Sequence, residues 1–297
     1  MGLKVFQVDA FTDQPFAGNP AGVVPEAGGL SRIERQKIAN EMNLAETAFI
    51  EQLDDHYFDV KFFTPIEEVD LCGHATIASF YILASKGYIK PLEKGVKKVI
   101  QRTKIGELSV YITYENSLPS MVYMEQAAPQ RFGNVINLEQ LLDAFSLQKE
   151  EIGINGHEIG PEIVSTGLRD ILIPVKSEAI LDRLKMNKDA LMAVSKENKV
   201  IGAHIYTVKE HTHNVIKARN FAPIVGVDEE PATGTSNGAL IYLLADEQII
   251  TDNKILVHQG ESLGRESLIY CEIKDQAILV GGTAKISLEG ILSIESK

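Results

Sequence analysis

Along this chain apolar and polar positions alternate in short bursts. Phe58, Val60 and Phe62 stand against Tyr57, Asp59, Lys61 and Phe63, and Leu108, Val110, Ile112 and Tyr114 repeat the period, which predicts half-buried β-strands. The opening Val5 to Ala10 also reads as strand. A surface helix is predicted between the early strands, because Ser31 with Glu34 three residues on forms a capping box before Ile33, Ile38, Ala39 and Met42. That helix delivers the chain to Asn43. Further helices are expected near Leu138 to Phe145 and Leu181 to Val194. Strands are expected at Met121 to Met124, Ile171 to Val175, Val200 to Val208, Ile255 to Val257, Leu268 to Ile273, Ala277 to Val280 and Ile291 to Ile294. Strands dominate without the regular strand-helix alternation of a doubly wound sheet, so the predicted class is α+β.

Two segments break the period of two. Leu71-Cys72-Gly73-His74-Ala75-Thr76 runs on through Ile77, Ala78, Phe80, Tyr81, Ile82, Leu83 and Ala84, and Ala232-Thr233-Gly234-Thr235-Ser236-Asn237 runs on through Gly238 to Ala245. The two are 161 positions apart and in register: Gly73/Gly234, Ala78/Ala239, Tyr81/Tyr242, Leu83/Leu244 and Ala84/Ala245 coincide. A helix apolar all round is a buried helix, so each run is expected to form the core of its own half, wrapped by strands. The loop signals at Asn116-Ser117-Leu118-Pro119-Ser120 place the boundary, giving expected halves of 1–117, completed by 283–297, and 118–282. Small residues before a helix can serve capping and packing alone. A glycine there also lets a ligand approach free backbone N–H groups at the positive end of the dipole, and two such ends facing one cleft would bind a small carboxylate.

Length and charge narrow the picture. The 297 residues, 44% hydrophobic, suffice for two modest cores. A formal net charge of −12 argues against nucleic acid or an anionic membrane surface as partner, and Lys97-Lys98 is too short to reverse it. An anionic substrate must then be held by local amides and helix ends, not by long-range attraction. Cys72 and Cys271 make neither a disulfide framework nor a zinc-ligand cluster, so a reducing cytoplasm and no metal are expected. Met1 to Lys4 lead straight into a strand, so no targeting segment is expected, and no run reaches membrane-spanning length.

Glu46 lies inside the apolar stretch Asn43-Leu44-Ala45-Glu46-Thr47-Ala48-Phe49-Ile50, where helix should give way to strand. Burial there would raise its pKa, which suits a group that takes a proton and returns it; a cap or ion-pair partner is the plainer role. Glu230, before Pro231 and the second glycine, is a second candidate of the same kind. His74 follows Gly73 at a helix start, where the dipole would favour neutral imidazole. His211 and His213 flank an expected turn and read as exposed. No phosphate-binding loop is present, Gly153, Gly156 and Gly160 miss the dinucleotide spacing, and no nucleophile elbow occurs, although composition alone leaves a Ser-His-Asp triad open.

Several segments together resemble a known family. Val8-Asp9-Ala10-Phe11-Thr12, Phe16-Ala17-Gly18-Asn19-Pro20-Ala21-Gly22-Val23, Asn43 to Thr47, Cys72 to Thr76, Ser165-Thr166-Gly167, Arg219-Asn220-Phe221-Ala222-Pro223, Glu230 to Thr235, Gln259-Gly260 and Gly264-Arg265 are similar, in order and spacing, to the PhzF-like isomerases of phenazine biosynthesis. The resemblance implies a diaminopimelate epimerase-like fold: two pseudo-symmetric domains, each a barrel-like, mostly antiparallel sheet around a central helix, with the active site between them. It implies cofactor-independent isomerisation of a small cyclic or unsaturated carboxylate by a homodimer. Glu46 would be the general acid/base, and His74, Gly73, Glu230, Gly234, Thr235 and Asn19 would bind substrate. Glu230 and Thr235 stand where the phenazine isomerase has Asp and Ser, which implies a pocket of altered depth. Cys72 occupies one position of the two-thiol epimerases, but Thr233 stands at the symmetric one. A hydroxyl is too weak an acid for that role, so a two-thiol racemase is not expected and Cys72 reads as a small buried residue. The rival reading is a small-molecule binding or regulatory protein that keeps the fold without turnover.

Overall fold

The structure is a computed structural model that describes residues 2–209 and 214–293; His211, His213 and Ile294 lie outside the described residues. The described chain divides into two compact units, Met1–Glu125 with Gly281–Lys297 and Gln126–Val280.

In unit 1 the elements run β1 Gly2–Ala10, β2 Asn19–Val24, α1 Arg32–Met42, β3 Glu46–Gln52, β4 Tyr57–Phe63, β5 Glu68–Val69, α2 Gly73–Ser85, β6 Lys94–Thr103, β7 Gly106–Glu115 and β8 Leu118–Glu125. Unit 2 follows with β9 Gln130–Asn134, α3 Leu138–Asp143, β10 Glu162–Ser165, β11 Arg169–Pro174, α4 Glu178–Asp182, α5 Lys188–Asn198, β12 Gly202–Val208, β13 Val215–Ala222, β14 Val227–Glu230, α6 Gly234–Asp246, β15 Lys254–Gln259, β16 Ser267–Lys274 and β17 Ala277–Gly282. The chain returns to unit 1 at Gly281, at the end of β17, and continues as β18 Ala284–Ser293.

Each unit repeats one topology. In unit 1 the strands pair in the order β18-β1-β2-β3-β4-β6-β7-β8, antiparallel except at β2/β3 and β4/β6. In unit 2 the order is β9-β10-β11-β12-β13-β15-β16, antiparallel except at β11/β12 and β13/β15. Parallel neighbours cannot be joined by a hairpin and need a crossover, and that requirement dictates where the helices fall. α1 bridges β2 to β3 as α4 and α5 bridge β11 to β12; α2 lies between β4 and β6 as α6 lies between β13 and β15. The fold is α+β, with a barrel-like sheet around one helix in each unit.

That helix is apolar because it is enclosed. α2 packs against β1, β2, β3, β7, β8 and β18, burying Ile77, Ala78, Phe80, Ile82 and Leu83, and Phe80 meets Phe58 of β4 edge-on at 5.6 Å. α6 packs against β10, β11, β15 and β16 and buries Leu240, Ile241, Leu243 and Leu244. Each buried Ile, Leu or Phe side chain among them contributes about 1.5–3 kcal/mol.

α1 begins with the expected capping box at Ser31 and Glu34. The single helix expected from Leu181 to Val194 is instead two, α4 and α5, because Asn187 starts a new helix by accepting from the Ala190 N–H. Their apolar residues, with Leu141, Phe145 and Phe221, form a second core in unit 2 on the outer side of its sheet.

Candidate active site

Unit 1 gathers four of the singled-out side chains at the start of α2. Asn43 ends α1 in the left-handed region, which reverses the chain so that Glu46 opens β3, beside Ala21 of β2. Asn19 opens β2 after a tight loop in which the buried Asp9 accepts the Phe16 N–H at 2.8 Å. Gly18 makes that loop possible: its φ is +65°, and a Cβ there would strike the Ala10 carbonyl. Cys72 is the extended N-cap of α2, and His74 sits in the first turn with a side chain only 4% exposed.

His74 is the hub of this group. Its Nε2 lies 3.1 Å from Glu46 Oε2, and its Nδ1 lies 3.2 Å from Asn19 Nδ2 and 3.4 Å from Cys72 Sγ. The Glu46 side chain is 22% exposed, while that of His74 is buried. Cys72 caps α2 with a thiol, a weak acceptor that meets only the Ala75 N–H, so the other helix-start amides have no side-chain acceptor from their cap.

Two expectations about protonation are corrected. Burial does push the Glu46 carboxyl up, but the hydrogen bond and charge of His74, helped by Cys72, outweigh it and hold the group below its ordinary value. For His74, burial opposes the charged form, while the Cys72 sulfur and the Glu46 carboxylate favour it and raise the imidazole well above its ordinary value. The helix start therefore does not win: a carboxylate at hydrogen-bond distance outweighs a half-charge spread over the first turn. The Cys72 thiol is pushed up to about 11 by burial and by the charge of Glu46. As placed, the Asn19 amide nitrogen faces Nδ1, so Nε2 carries the hydrogen that Glu46 Oε2 accepts.

Unit 2 builds its counterpart around Glu230, the last residue of β14. Arg219 holds that strand through two 2.8 Å contacts to Glu229. Thr233, the N-cap of α6, donates its hydroxyl to Glu230 Oε2 at 2.9 Å. Gly234 is buried at the helix start, and the Thr235 carbonyl accepts from the Thr166 hydroxyl at 2.8 Å. Gly260 holds φ at +82°, where a Cβ would meet the carbonyls of Arg265 and Pro231, and so lets Gln259 reach this segment.

Behind Glu230 runs a buried chain of hydrogen bonds that the sequence reading did not assign. Asn220 Nδ2 lies 3.3 Å from His204 Nδ1, and His204 Nε2 lies 3.1 Å from Asn237 Oδ1. Asn237 Nδ2 donates to Gln259 Oε1 at 2.9 Å, and Gln259 Nε2 donates to Thr233 Oγ1 at 3.0 Å and to the Glu230 carbonyl at 2.8 Å. Each amide fixes the sense of the next bond. The Asn220 amide donates to Nδ1, so His204 is the neutral Nε2–H tautomer, in keeping with burial pushing it down to about 4. The last donor is then the Thr233 hydroxyl and the final acceptor is the Glu230 carboxylate. On the other side Asn220 donates to Ser236, which bonds Asp170. The available signal was polar residues at buried strand positions, His204 within Val200 to Val208 above all.

Comparison with known proteins follows the same lines. The family model described as phenazine biosynthesis-like protein matches residues 8–290. The chain belongs to that family. It is 38% identical over 281 residues, 91% of this chain and 90% of the relative, to an uncharacterized isomerase of Clostridium acetobutylicum. It is 32% identical to the uncharacterized isomerase YddE of Escherichia coli K12, covering 99% of this chain and all of the relative. Among solved structures it resembles a PhzF-family phenazine biosynthesis protein of Bacillus anthracis with a TM-score of 0.83 and 29% identity, over 99% of this chain and 100% of that one. As a PhzF-like protein the chain is an isomerase, and the epimerase-like fold expected from its sequence is the one it has.

Proposed function

We propose that this PhzF-like protein isomerises a small cyclic or unsaturated carboxylate by moving one proton, with Glu46 as the general acid/base and no cofactor. The observation that carries the reading is the carboxylate of a partly exposed glutamate 3.1 Å from a buried imidazole. Held below its ordinary pKa, Glu46 rests as the carboxylate, the form that accepts a proton. It takes the proton as a substrate C–H bond breaks, and the electron pair passes into the unsaturated system conjugated with the substrate carboxylate. The same oxygen then returns the proton to another carbon of that system. Atoms and charge balance with no redox partner. His74, fixed by Asn19, holds Glu46 in one orientation, and the Gly73 amide region at the start of α2 offers donors to anionic substrate oxygens. In unit 2 the proposal assigns substrate binding to Glu230, Gly234 and Thr235.

The same reading takes the protein as a cytoplasmic homodimer. Two buried thiols with no disulfide support a reducing compartment, and no helix among the described residues is long and apolar enough to cross a membrane. Incubation with a panel of small unsaturated carboxylates in deuterium oxide tests the reaction. A turnover substrate gains deuterium at carbon in the wild type and not with Glu46→Gln; exchange undiminished in the variant would remove Glu46 from the role.

A further inference from the structure

Each unit buries a glutamine against the first turn of its central helix, and the two are bonded differently. Gln259 of β15 is 1% exposed, and main-chain groups fix which way its amide points. Its Nε2 lies 2.8 Å from the Glu230 carbonyl, which can only accept, so Nε2 is the donor end and also donates to Thr233 Oγ1 at 3.0 Å. Its Oε1 accepts the Thr233 N–H at 3.4 Å and Asn237 Nδ2 at 2.9 Å. Asn237 is fixed in the same manner, because its Nδ2 also donates to the Thr233 carbonyl at 2.9 Å. Gln259 occupies one lone pair of Thr233 Oγ1, and the single hydroxyl hydrogen goes to Glu230 Oε2 at 2.9 Å. Unit 1 supplies the contrast. Thr76 stands three residues beyond Gly73, as Asn237 does beyond Gly234, and donates to Gln101 Oε1 of β6 at 3.2 Å. Yet Gln101 Nε2 is buried with no hydrogen-bond partner among the described residues, and Cys72 stands where unit 2 has Thr233.

We propose that Gln259 and Thr233 are positioning residues that fix the Glu230 carboxylate for contact with substrate. The assignment rests on the reading of Glu230 as a substrate-binding residue. A glutamate side chain turns about three bonds, and a contact that orients a ligand has to remove that freedom. The Thr233 hydroxyl removes it at the carboxylate end. At the other end the Glu230 backbone is held between its pairing with Asn220 of β13 and the Gln259 amide. Gln259 thus ties the carboxylate's partner and the carboxylate's own backbone into one unit. Turning its amide over would set N–H against N–H at Asn237 and Thr233 and oxygen against oxygen at the Glu230 carbonyl, so the arrangement has a single sense. Both residues act through Glu230 and neither is assigned a contact with the reacting atoms.

Two mutant cycles test the assignment. The first is read by urea unfolding with no ligand present, on Thr233→Val and Glu230→Ala made singly and together. Hydroxyl and carboxylate should be coupled by about fivefold or more in the unfolding equilibrium, and Thr233→Ser, which keeps the hydroxyl, should retain the coupling. In a Gln259→Met background, which keeps the length and loses the amide, the coupling should drop below about twofold. Gln259→Asn, one methylene short of both acceptors, is the second variant and should show the same loss; circular dichroism checks that each variant is folded. No coupling in the first cycle, or coupling unchanged in both Gln259 backgrounds, overturns the proposal. The second cycle follows solvent exchange of the unsaturated carboxylate panel in deuterium oxide. Thr233→Val and Gln259→Met should each raise KM about tenfold with a smaller loss in kcat, and neither should add to the loss in Glu230→Ala. Losses that add fully would make the pair supports of the fold alone and overturn the positioning role. The unfolding cycle needs no substrate, so an uncoupled result leaves the Glu46 reading standing, and exchange absent from the wild type removes that reading while the unfolding cycle still decides whether Glu230 is held.

Discussion

Glu46 Oε2 lies 3.1 Å from His74 Nε2, although the two residues stand at the starts of different elements, Glu46 opening β3 and His74 in the first turn of α2. The pair sets the resting charge of the site: a carboxylate kept ionised by a neighbour that burial alone would have left neutral. Glu46→Gln keeps the shape and loses the proton acceptor. Exchange of substrate protons with solvent should fall by about a hundredfold or more, with ligand affinity within a few-fold of wild type. Parallel exchange and binding measurements on one preparation check it.

Gly18 is expected to be intolerant of a side chain. Gly18→Ala forces a Cβ into the Ala10 carbonyl at a φ of +65° and should cost about 2 kcal/mol or more. Because Asn19 is the next residue, the damage should reach the site as well as the fold. Urea denaturation gives the stability, and imidazole NMR shifts of His74 report the local change; a variant as stable as wild type would contradict the strain argument.

Opposite pH dependences are expected from the two buried titratable groups at the Asn220 junction. Burial pushes Asp170 up from 3.8 to about 6, against the hydrogen bonds of Ser236, Asn220 and Gly202. The native state thus holds that proton more tightly than the unfolded chain. Its contribution is present at acid pH and is lost as pH rises through about 6. His204 is pushed down from 6.5 to about 4, so its contribution is full above 6.5 and is lost as pH falls toward 4. Asp170→Asn should therefore gain on wild type as pH rises from 4 to 7, and His204→Gln should lose less than wild type between pH 6.5 and 4. Unfolding curves at a series of pH values test both; curves parallel to wild type would discount them.

Leu240 is fully buried at the centre of unit 2. Leu240→Ala should cost about 2–5 kcal/mol through lost burial and the cavity left behind. A thermal or denaturant midpoint checks it, and a shift as small as that of an exposed residue would mean α6 is not the packed centre of its unit.

Much of the architecture was legible because it rests on local rules. The capping box at Ser31, the strand alternation around Phe58 to Phe62 and the two all-apolar runs depend only on nearby spacing, and each became the element it predicted. The α4 and α5 pair was harder, since Asn187 as a helix start is a weak signal inside a run that keeps helical period. The candidate residues were named from their chemistry and family likeness. Their protonation was misjudged, because a helix dipole and burial are local properties whereas the Glu46–His74 contact joins segments 28 residues apart in the chain. The same limit hid the Asp170 to Glu230 hydrogen-bond chain and the meeting of Cys72 with Glu46. Hydrophobic period and capping act between neighbours and are written in the sequence. Hydrogen-bond sense and ionisation arise only when strand pairing brings distant polar atoms within about 3 Å in a region without water.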